Sequence, residues 1–505
     1  MKTKILLLSV LTMIVGFSSC NLDPKVYSEM TDDNFPKSID DADQMLKGLY
    51  AQIKNNSGGV HDNVANGTWE WPVWSISPVG YYGFNEVTTN ETYYLENTDL
   101  RDFTWGVARD TYSTYILDRN IARATKLLSV LGNLQNVDEA KKQQMIAETK
   151  TVRAQIMYAL HSLYGPVPMA LTMDEVNKGE YLPRPTEDEY VNQMIKDLTE
   201  AIPNLPGKTQ GTSNWGRVNK GMADMLLMKI YMNNHEWSKA LPYAEDVTKL
   251  GYSLSPNYFD AFGNEQSNEI VWAIPSGTIA DNEFYFYAIP GDCNEANGIE
   301  FSPYWGVFTS TWEFYNTFTD KDVRKKGLAA TYKEYYKNSK TGITDTIIHD
   351  RYKNPGRRLF YGPLVVKYKF NKDVTSSGRF HQVCYRYADI ILSLAEIENN
   401  LHGPTDKAMS YLKMITDRAG TTSTIPSDIQ SSKEKFNEFL LAERGRELYL
   451  EGWRREDMIR FGTFISEAKK RGHEHAADYM KLLPIPSKVI TESGGVVKQN
   501  PGYQE

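Results

Sequence analysis

Apolar residues recur at three- and four-residue steps over most of the chain. Val152, Ile156, Ala159, Leu160 and Leu163 keep that rhythm until Gly165-Pro166 ends it. Ala223, Leu226, Leu227, Ile230 and Tyr231 repeat it, as do Tyr387, Ile391, Leu394 and Ala395. The period is that of a helix with one buried face, so the mass before 255 and after 385 is expected to be helical. Within residues 221–250, Leu227, Tyr231, Trp237, Ala240 and Ala244 fall at the offsets of a tetratricopeptide hairpin. There, large residues of one helix pack against small ones of the next. A weaker echo surrounds Ala395 and Ala408. Between 256 and 380 the rhythm lapses into Gly, Pro, Asn and aromatic residues, with short β-like pieces at 269–274 and 364–368. The pattern predicts a mostly α fold: a tetratricopeptide-like helical-hairpin scaffold carrying a loop-rich subdomain with short β pieces.

The N-terminus departs from this pattern. Lys2 and Lys4 precede an apolar run over 5–17, followed by Ser18, Ser19 and Cys20. A basic head, a short apolar body and small residues describe a secretory signal, here 1–19. A cysteine directly after the small residues makes it a lipoprotein signal, with Cys20 as the lipid attachment point. Several acyl tails hold a protein on a membrane where one does not. Loss of 1–19 removes two lysines and no acid, moving the formal charge from −8 to −10. Such an acidic body disfavours nucleic acid as a partner. The expected division is a tether over 20–40, an N-terminal helical region over 41–255 containing an aromatic loop at 68–97, the irregular subdomain over 256–380, and a C-terminal helical region with an extended tail over 381–505.

With Cys20 assigned to lipid, only Cys293 and Cys384 remain. Whether they pair stays open, and one bridge could not staple a chain this long, so stability must come from a large core. The eight histidines are scattered, with no Cys/His cluster at zinc spacing; His473 and His475 sit in a charged segment and are expected to face solvent. No metal and no cofactor are therefore expected.

Aromatic richness is the unusual feature: 32 Tyr, 19 Phe and 10 Trp. Residues 68–94 carry Trp69, Trp71, Trp74, Tyr81, Tyr82, Tyr93 and Tyr94. A second group, Tyr304 and Trp305, lies in an irregular stretch with Asp292 and Asn294. A sugar ring offers an apolar C–H face, which a flat aromatic covers, and a fringe of hydroxyls, which the amides of Asn85, Asn90 and Asn97 could serve. Tyr81, Tyr82, Tyr93, Tyr94, Tyr304 and Trp305 are the expected glycan-binding residues. The Trp69–Trp74 group is expected to be mixed, with at least one ring turned inward.

The densest charge falls at Glu443, Glu447 and Glu451, at four-residue steps, with Arg444, Arg446, Arg454 and Arg455 nearby. Two such carboxylates could suggest glycoside hydrolysis. On successive turns of one helix, however, they would sit about 6 Å apart on a convex face and not across a cleft. An Arg–Glu network fastening this helix to its neighbours is the expected role, with Gly445 and Gly452 allowing close helix packing. No nucleophile elbow, phosphate-cradling loop or HExxH motif occurs, and the chain is read as a non-enzyme.

The same segment, LLAERGRELYLEGWRREDMIRFG over 440–462, resembles the signature of the SusD/RagB family of outer-membrane nutrient-binding lipoproteins. LLPIPSKVI and KQNPGYQE resemble the family's chain end, and RAQIMYALHSLYGPVPMAL, SNEIVWAIPS and YRYADIILSLAE are similar to family segments in the same order. The resemblance spans the whole chain. It implies a tetratricopeptide-like fold, a surface lipid anchor and a lid-like role over a SusC-like TonB-dependent outer-membrane transporter. It also implies ligand contacts from loops in the two aromatic regions, without a fixed motif that would name residues. The expected function is non-catalytic capture of an oligo- or polysaccharide at the cell surface for delivery to that transporter. Peptide capture, a glycan-degrading enzyme and a protein-binding adaptor are the alternatives.

Overall fold

Start and stop signals written locally in the chain set the helices. In a computed structural model, residues 36–54, 73–75, 80–96, 98–263, 267–275, 287–293, 305–342, 344–368 and 381–504 are described. Helix α1 (Ile39–Ala51) opens on a capping box in which Ser38 accepts from the Asp41 amide and Asp41 returns to the Ser38 backbone. A short helix, α2 (Tyr81–Val87), leads into strand β1 (Thr92–Tyr94). Then come α3 (Arg119–Asn133), α4 (Glu139–Tyr164), α5 (Glu187–Ala201), α6 (Lys220–Asn233) and α7 (Trp237–Thr248). Helix α4 ends where the sequence predicts, at Gly165 with φ +72°, a conformation that costs glycine nothing. Over 151–160 it is buried on all sides, and it packs against α3 and α5.

The hairpin read from the tetratricopeptide offsets is α6 and α7. They pack against each other, with Leu227, Tyr231, Ala240 and Ala244 all buried. The echo is α8 (Tyr387–His402) and α9 (Asp406–Ala419), with Ala395 and Ala408 buried. Helices α10 (Lys433–Leu448) and α11 (Arg454–Arg460) follow, α10 packing on α8. The fold is mostly α, as expected. No helix among the described residues is long and apolar enough to cross a membrane.

The strands form two-stranded antiparallel pairs. Strand β1 pairs with β3 (Phe308–Ser310), Tyr93 opposite Thr309 and Tyr94 opposite Phe308. Strand β2 (Ile270–Ile274) pairs with β6 (Gln382–Arg386), both wholly buried. Strands β4 (Thr331–Lys337) and β5 (Thr344–Asp350) make a hairpin with Tyr332 opposite His349. Of the two predicted β pieces, the first is β2, whereas the second shortens to Leu364–Val365, paired with Leu328–Ala329. Cys293 and Cys384 are both buried, and no disulfide joins them to each other.

The charged signature is buried, and its geometry differs in two respects from the sequence reading. Helix α10 stops at Leu448, so Glu451 is not on it. Leu450 (φ +54°) and Gly452 (φ +85°) turn the chain back toward α11. Gly452 serves this turn instead of helix packing: a Cβ there would meet the Tyr82 ring at 2.8 Å. Gly445 does face a close neighbour, the guanidinium of Arg454.

Glu447 meets Arg386 at 2.6 Å and Arg324 at 3.1 Å, and also Arg418. Glu451 meets Lys367 and Arg386, Glu443 meets Arg324 and Arg446, and Glu269 meets Arg386 and Arg418. With Asp322 on Arg324, the connected set balances five cations against five anions. A second cluster joins Arg444 and Arg460 to Asp389, Glu396 and Asp457. Paired, multiply bonded charge of this kind is tolerated in a core, whereas a lone charge is not.

Candidate functional site

Strand β1 comes from the first aromatic region and β3 from the edge of the second, so the two predicted regions meet in one small sheet. Leu95 continues the pairing by donating to the Val307 carbonyl. Pro290 bridges Trp305, and Gly306 (φ +52°) permits this approach, since a Cβ there would lie 2.6 Å from the Pro290 backbone. Gly362 lies against Ser310 so closely that a Cβ would overlap its carbonyl, which seats the 357–361 turn against β3.

Three aromatics of the sequence prediction are core residues, and the expectation that they bind ligand is corrected. Tyr81 is 0% exposed and Tyr82 3%, because the stretch after Gly80 is a helix and not a loop. The Tyr82 hydroxyl donates to the Leu450 carbonyl at 2.6 Å and that of Tyr81 to Glu456 at 3.2 Å. Trp74, also buried, packs edge-on to Tyr81 and Trp453. Tyr94 is 3% exposed because successive residues of a strand face opposite ways, and Tyr93 takes the outer face. Asn85 is likewise structural, donating to the Gly452 carbonyl and accepting from Arg455. Asn90 accepts from Arg454. Cys20, Trp69, Trp71, Asn97, Asn294 and Tyr304 lie outside the described residues.

The remaining aromatics gather on the surface around the β1–β3 sheet. Tyr93 is half-buried, and its ring stacks on Tyr361 with centroids 5.0 Å apart and planes at 19°. The Arg101 guanidinium lies 4.7 Å from the Tyr93 ring centre and donates to its hydroxyl, while Asp102 holds the other edge of that guanidinium. Phe360, 70% exposed, stands edge-on to Tyr361 at 5.3 Å. Trp305, 57% exposed, stands edge-on to Tyr287 at 5.9 Å. Arg358 donates to the Trp305 and Gly306 carbonyls, tying the Phe360–Tyr361 turn to the Trp305 segment. Burial of its guanidinium pushes the Arg358 pKa down.

Phe360, Tyr361 and Tyr287 escaped the sequence reading. A signal existed in RRLFYGP over 357–363, where two aromatics sit between glycines in a polar stretch. Two concavities of the helical body lie elsewhere. One of about 390 Å³ is lined by Tyr115, Asp118, Arg119, Glu175 and Tyr181, and another of about 590 Å³ by His235, Trp237, Asn400 and Glu438. Neither includes a residue of the sheet or of the 357–361 turn.

The carboxylates of the signature offer no acid–base pair. Burial pushes the Glu447 carboxyl up, but Arg418, Arg386 and Arg324 outweigh it and hold it well below the usual range. Glu443 is lowered likewise against its burial by Arg324 and Arg446. A general acid for glycoside cleavage needs the opposite shift and access to substrate.

The family described as "SusD family" matches residues 234–503, more than half of the chain. The chain belongs to the SusD family. A second match, described as "Starch-binding associating with outer membrane", covers residues 73–232 of this SusD-family chain. A SusD-like protein of Formosa agariphila is 26% identical over 94% of both chains. A SusD-like protein of Bacteroides ovatus is 23% identical over 63% of this chain and 57% of its own. Among solved structures, surface glycan-binding protein A from Bacteroides thetaiotaomicron, in complex with laminarihexaose, superposes with a TM-score of 0.71 at 18% identity, covering 91% of this chain and 99% of its own. A SusD superfamily protein from Bacteroides fragilis gives 0.66 at 18% identity, covering 93% and 100%.

Proposed function

We propose that this SusD-family protein captures an oligo- or polysaccharide at the outer surface of the cell without cleaving it. The captured glycan passes to a SusC-like TonB-dependent transporter, and the protein is held on the outer membrane by lipid on Cys20. The observation that carries the reading is the exposed aromatic patch around the β1–β3 sheet: Trp305 with Tyr287, and Phe360 with the Tyr93–Tyr361 stack. Flat, exposed rings suit a sugar chain, whose ring faces stack while side chains and bridging waters meet its hydroxyls. The exposed Arg357 and the guanidinium of Arg101 are the polar groups at hand. Support for glycan as the ligand class comes from family membership and from the fold shared with a surface glycan-binding protein crystallised with laminarihexaose. Support for a non-catalytic role comes from the signature carboxylates, all engaged in buried ion pairs.

Calorimetry against a panel of neutral oligosaccharides, laminarihexaose included, and against a peptide mixture tests the reading, with product analysis alongside. Trp305→Ala and Phe360→Ala should each weaken binding, by about thirtyfold for a true hot-spot aromatic, with unchanged melting temperature. Sugar cleavage, peptide retention in place of glycan, or wild-type affinity in both variants would refute it.

A further inference from the structure

Beneath the patch, three side chains from distant parts of the sequence converge. Asp292 lies two residues after Pro290, which bridges Trp305; Glu334 is on β4 and His349 on β5. One ligand atom from each lies within 4.8 Å of the other two. Asp292 and His349 are more than nine-tenths buried, whereas Glu334 reaches solvent and leaves a path for an ion.

The hydrogen bonds around this cluster leave a place for a cation. His349 Nδ1 is 3.1 Å from the Asn354 carbonyl, an acceptor, so Nδ1 carries the proton. In the neutral ring Nε2 is then an acceptor as well, yet it faces a Glu334 carboxylate oxygen at 2.9 Å. Two acceptors at that distance need a positive charge between or beside them. On the third residue, Asp292 Oδ2 accepts from the Arg357 amide at 2.9 Å, and the Tyr332 hydroxyl is hydrogen-bonded to the Asp292 carboxylate. Its other oxygen, Oδ1, is buried with no hydrogen-bond partner. Gly356 (φ +55°) lets the 354–357 turn close over the ring, since a Cβ there would lie 2.8 Å from His349 Nδ1.

We infer that Asp292, Glu334 and His349 form a binding site for one divalent transition-metal ion of the zinc class. An imidazole among the ligands argues against calcium and magnesium, which take oxygen alone. The two buried ligands already have the outer partners that metal sites use for orientation: a carbonyl for His349, and an amide and a phenol for Asp292. Ligand atoms around a four-coordinate zinc lie about 3.4 Å apart, so the Glu334–His349 pair, at 2.9 Å, opens slightly to admit the ion while water completes the shell. The ion ties the Asp292 segment, the β4–β5 hairpin and the 354–361 turn together at one point. This site is independent of the glycan reading, because it predicts metal binding whether or not sugar binds.

The test is calorimetric titration of untagged, chelator-treated protein with zinc chloride, with calcium and magnesium chloride as controls and thermal unfolding in parallel. One equivalent of zinc should bind and raise the melting temperature, with no response to calcium or magnesium. Glu334→Gln, an isosteric change at a solvent-reaching residue, and His349→Ala should each weaken zinc binding at least tenfold. The metal-free melting temperature of Glu334→Gln should equal that of the metal-free wild type, so that loss of binding is not loss of fold. Absence of zinc binding at millimolar concentration would overturn the inference. So would binding that survives both variants, or binding abolished instead by His473→Ala with His475→Ala. In the first case His349 would be an imidazolium paired with Glu334.

Discussion

Glu447→Ala separates scaffold from site most sharply. Glu447 is fully buried and touches three guanidiniums, those of Arg324, Arg386 and Arg418. Removing it leaves a cluster of five cations and four anions in a region closed to water. Deleting one partner of a buried ion pair costs about 3–5 kcal/mol. At about 2.1 cal/mol/K of unfolding entropy per residue, a body of this length melting as one unit shifts by about 1 °C per kcal/mol, so its midpoint should fall by about 3–5 °C. Differential scanning calorimetry and urea unfolding read this directly. The pH dependence supplies a second measure. Because the arginines hold the carboxyl below its ordinary range, its contribution is complete above the unfolded-state value near 4.5 and is lost as pH falls through the native one. The gap between wild type and variant should thus be constant from pH 6 to 8 and shrink only in acid. Glycan affinity of the folded variant should match the wild type. An unaltered midpoint with lost binding would refute the assignment of this helix to the scaffold.

Burial pushes the Glu86 carboxyl up to about 7, partly offset by the Gly452 amide and Lys367. Glu86 keeps its proton in the fold where the unfolded chain releases it, so the native state loses stability as pH rises from about 4.5 to 7. Glu86→Gln should match the wild type at pH 4 and exceed it by a few kcal/mol at pH 8 in urea unfolding; equal midpoints at both would refute the shift. Cys20→Ala should release the protein from outer-membrane fractions of cells lacking the partner transporter, and unchanged partition in detergent-free fractionation would remove the lipid anchor from the reading.

What was legible in the sequence is what local chemistry decides. Gly165 ends α4, the Leu227–Ala244 offsets mark the α6–α7 hairpin, and the apolar run at 270–274 is a buried strand. What was not legible depends on distant partners. Glu447 is held by arginines at 324, 386 and 418, and not by those beside it in the sequence. Tyr81 and Tyr82 follow Pro78 and Gly80, which read as a loop, yet a turn of the C-terminal segment supplies the Leu450 carbonyl that fixes Tyr82 inward. Tyr93 and Tyr94 could have been separated by strand alternation had 92–94 been recognised as a strand. The β4–β5 hairpin was missed because only Tyr332 and His349 point inward from fourteen paired residues, too few to set a period.

The division between a charged core and an aromatic surface has a mechanical basis. The turn at 450–452 is fixed from one side by Glu451, clamped between Lys367 and Arg386. From the other side α2 is fastened to that turn by the Tyr82 hydroxyl on Leu450, the Asn85 amide on Gly452, and the Gly452 amide on Glu86. Strand β1 follows α2 after four residues, and Glu91 at its start accepts from Thr311 and Ser310 at the end of β3. The sheet beneath the aromatic patch is therefore referenced to the buried ion network through a short chain of hydrogen bonds. The rings themselves hang on connections with one side in water, where substitution removes few packed contacts. Under the proposed function, changes at Trp305 or Phe360 should therefore alter ligand affinity without loosening the scaffold, while changes at Glu447 or Tyr82 act first on the scaffold and reach the surface only through this chain of hydrogen bonds.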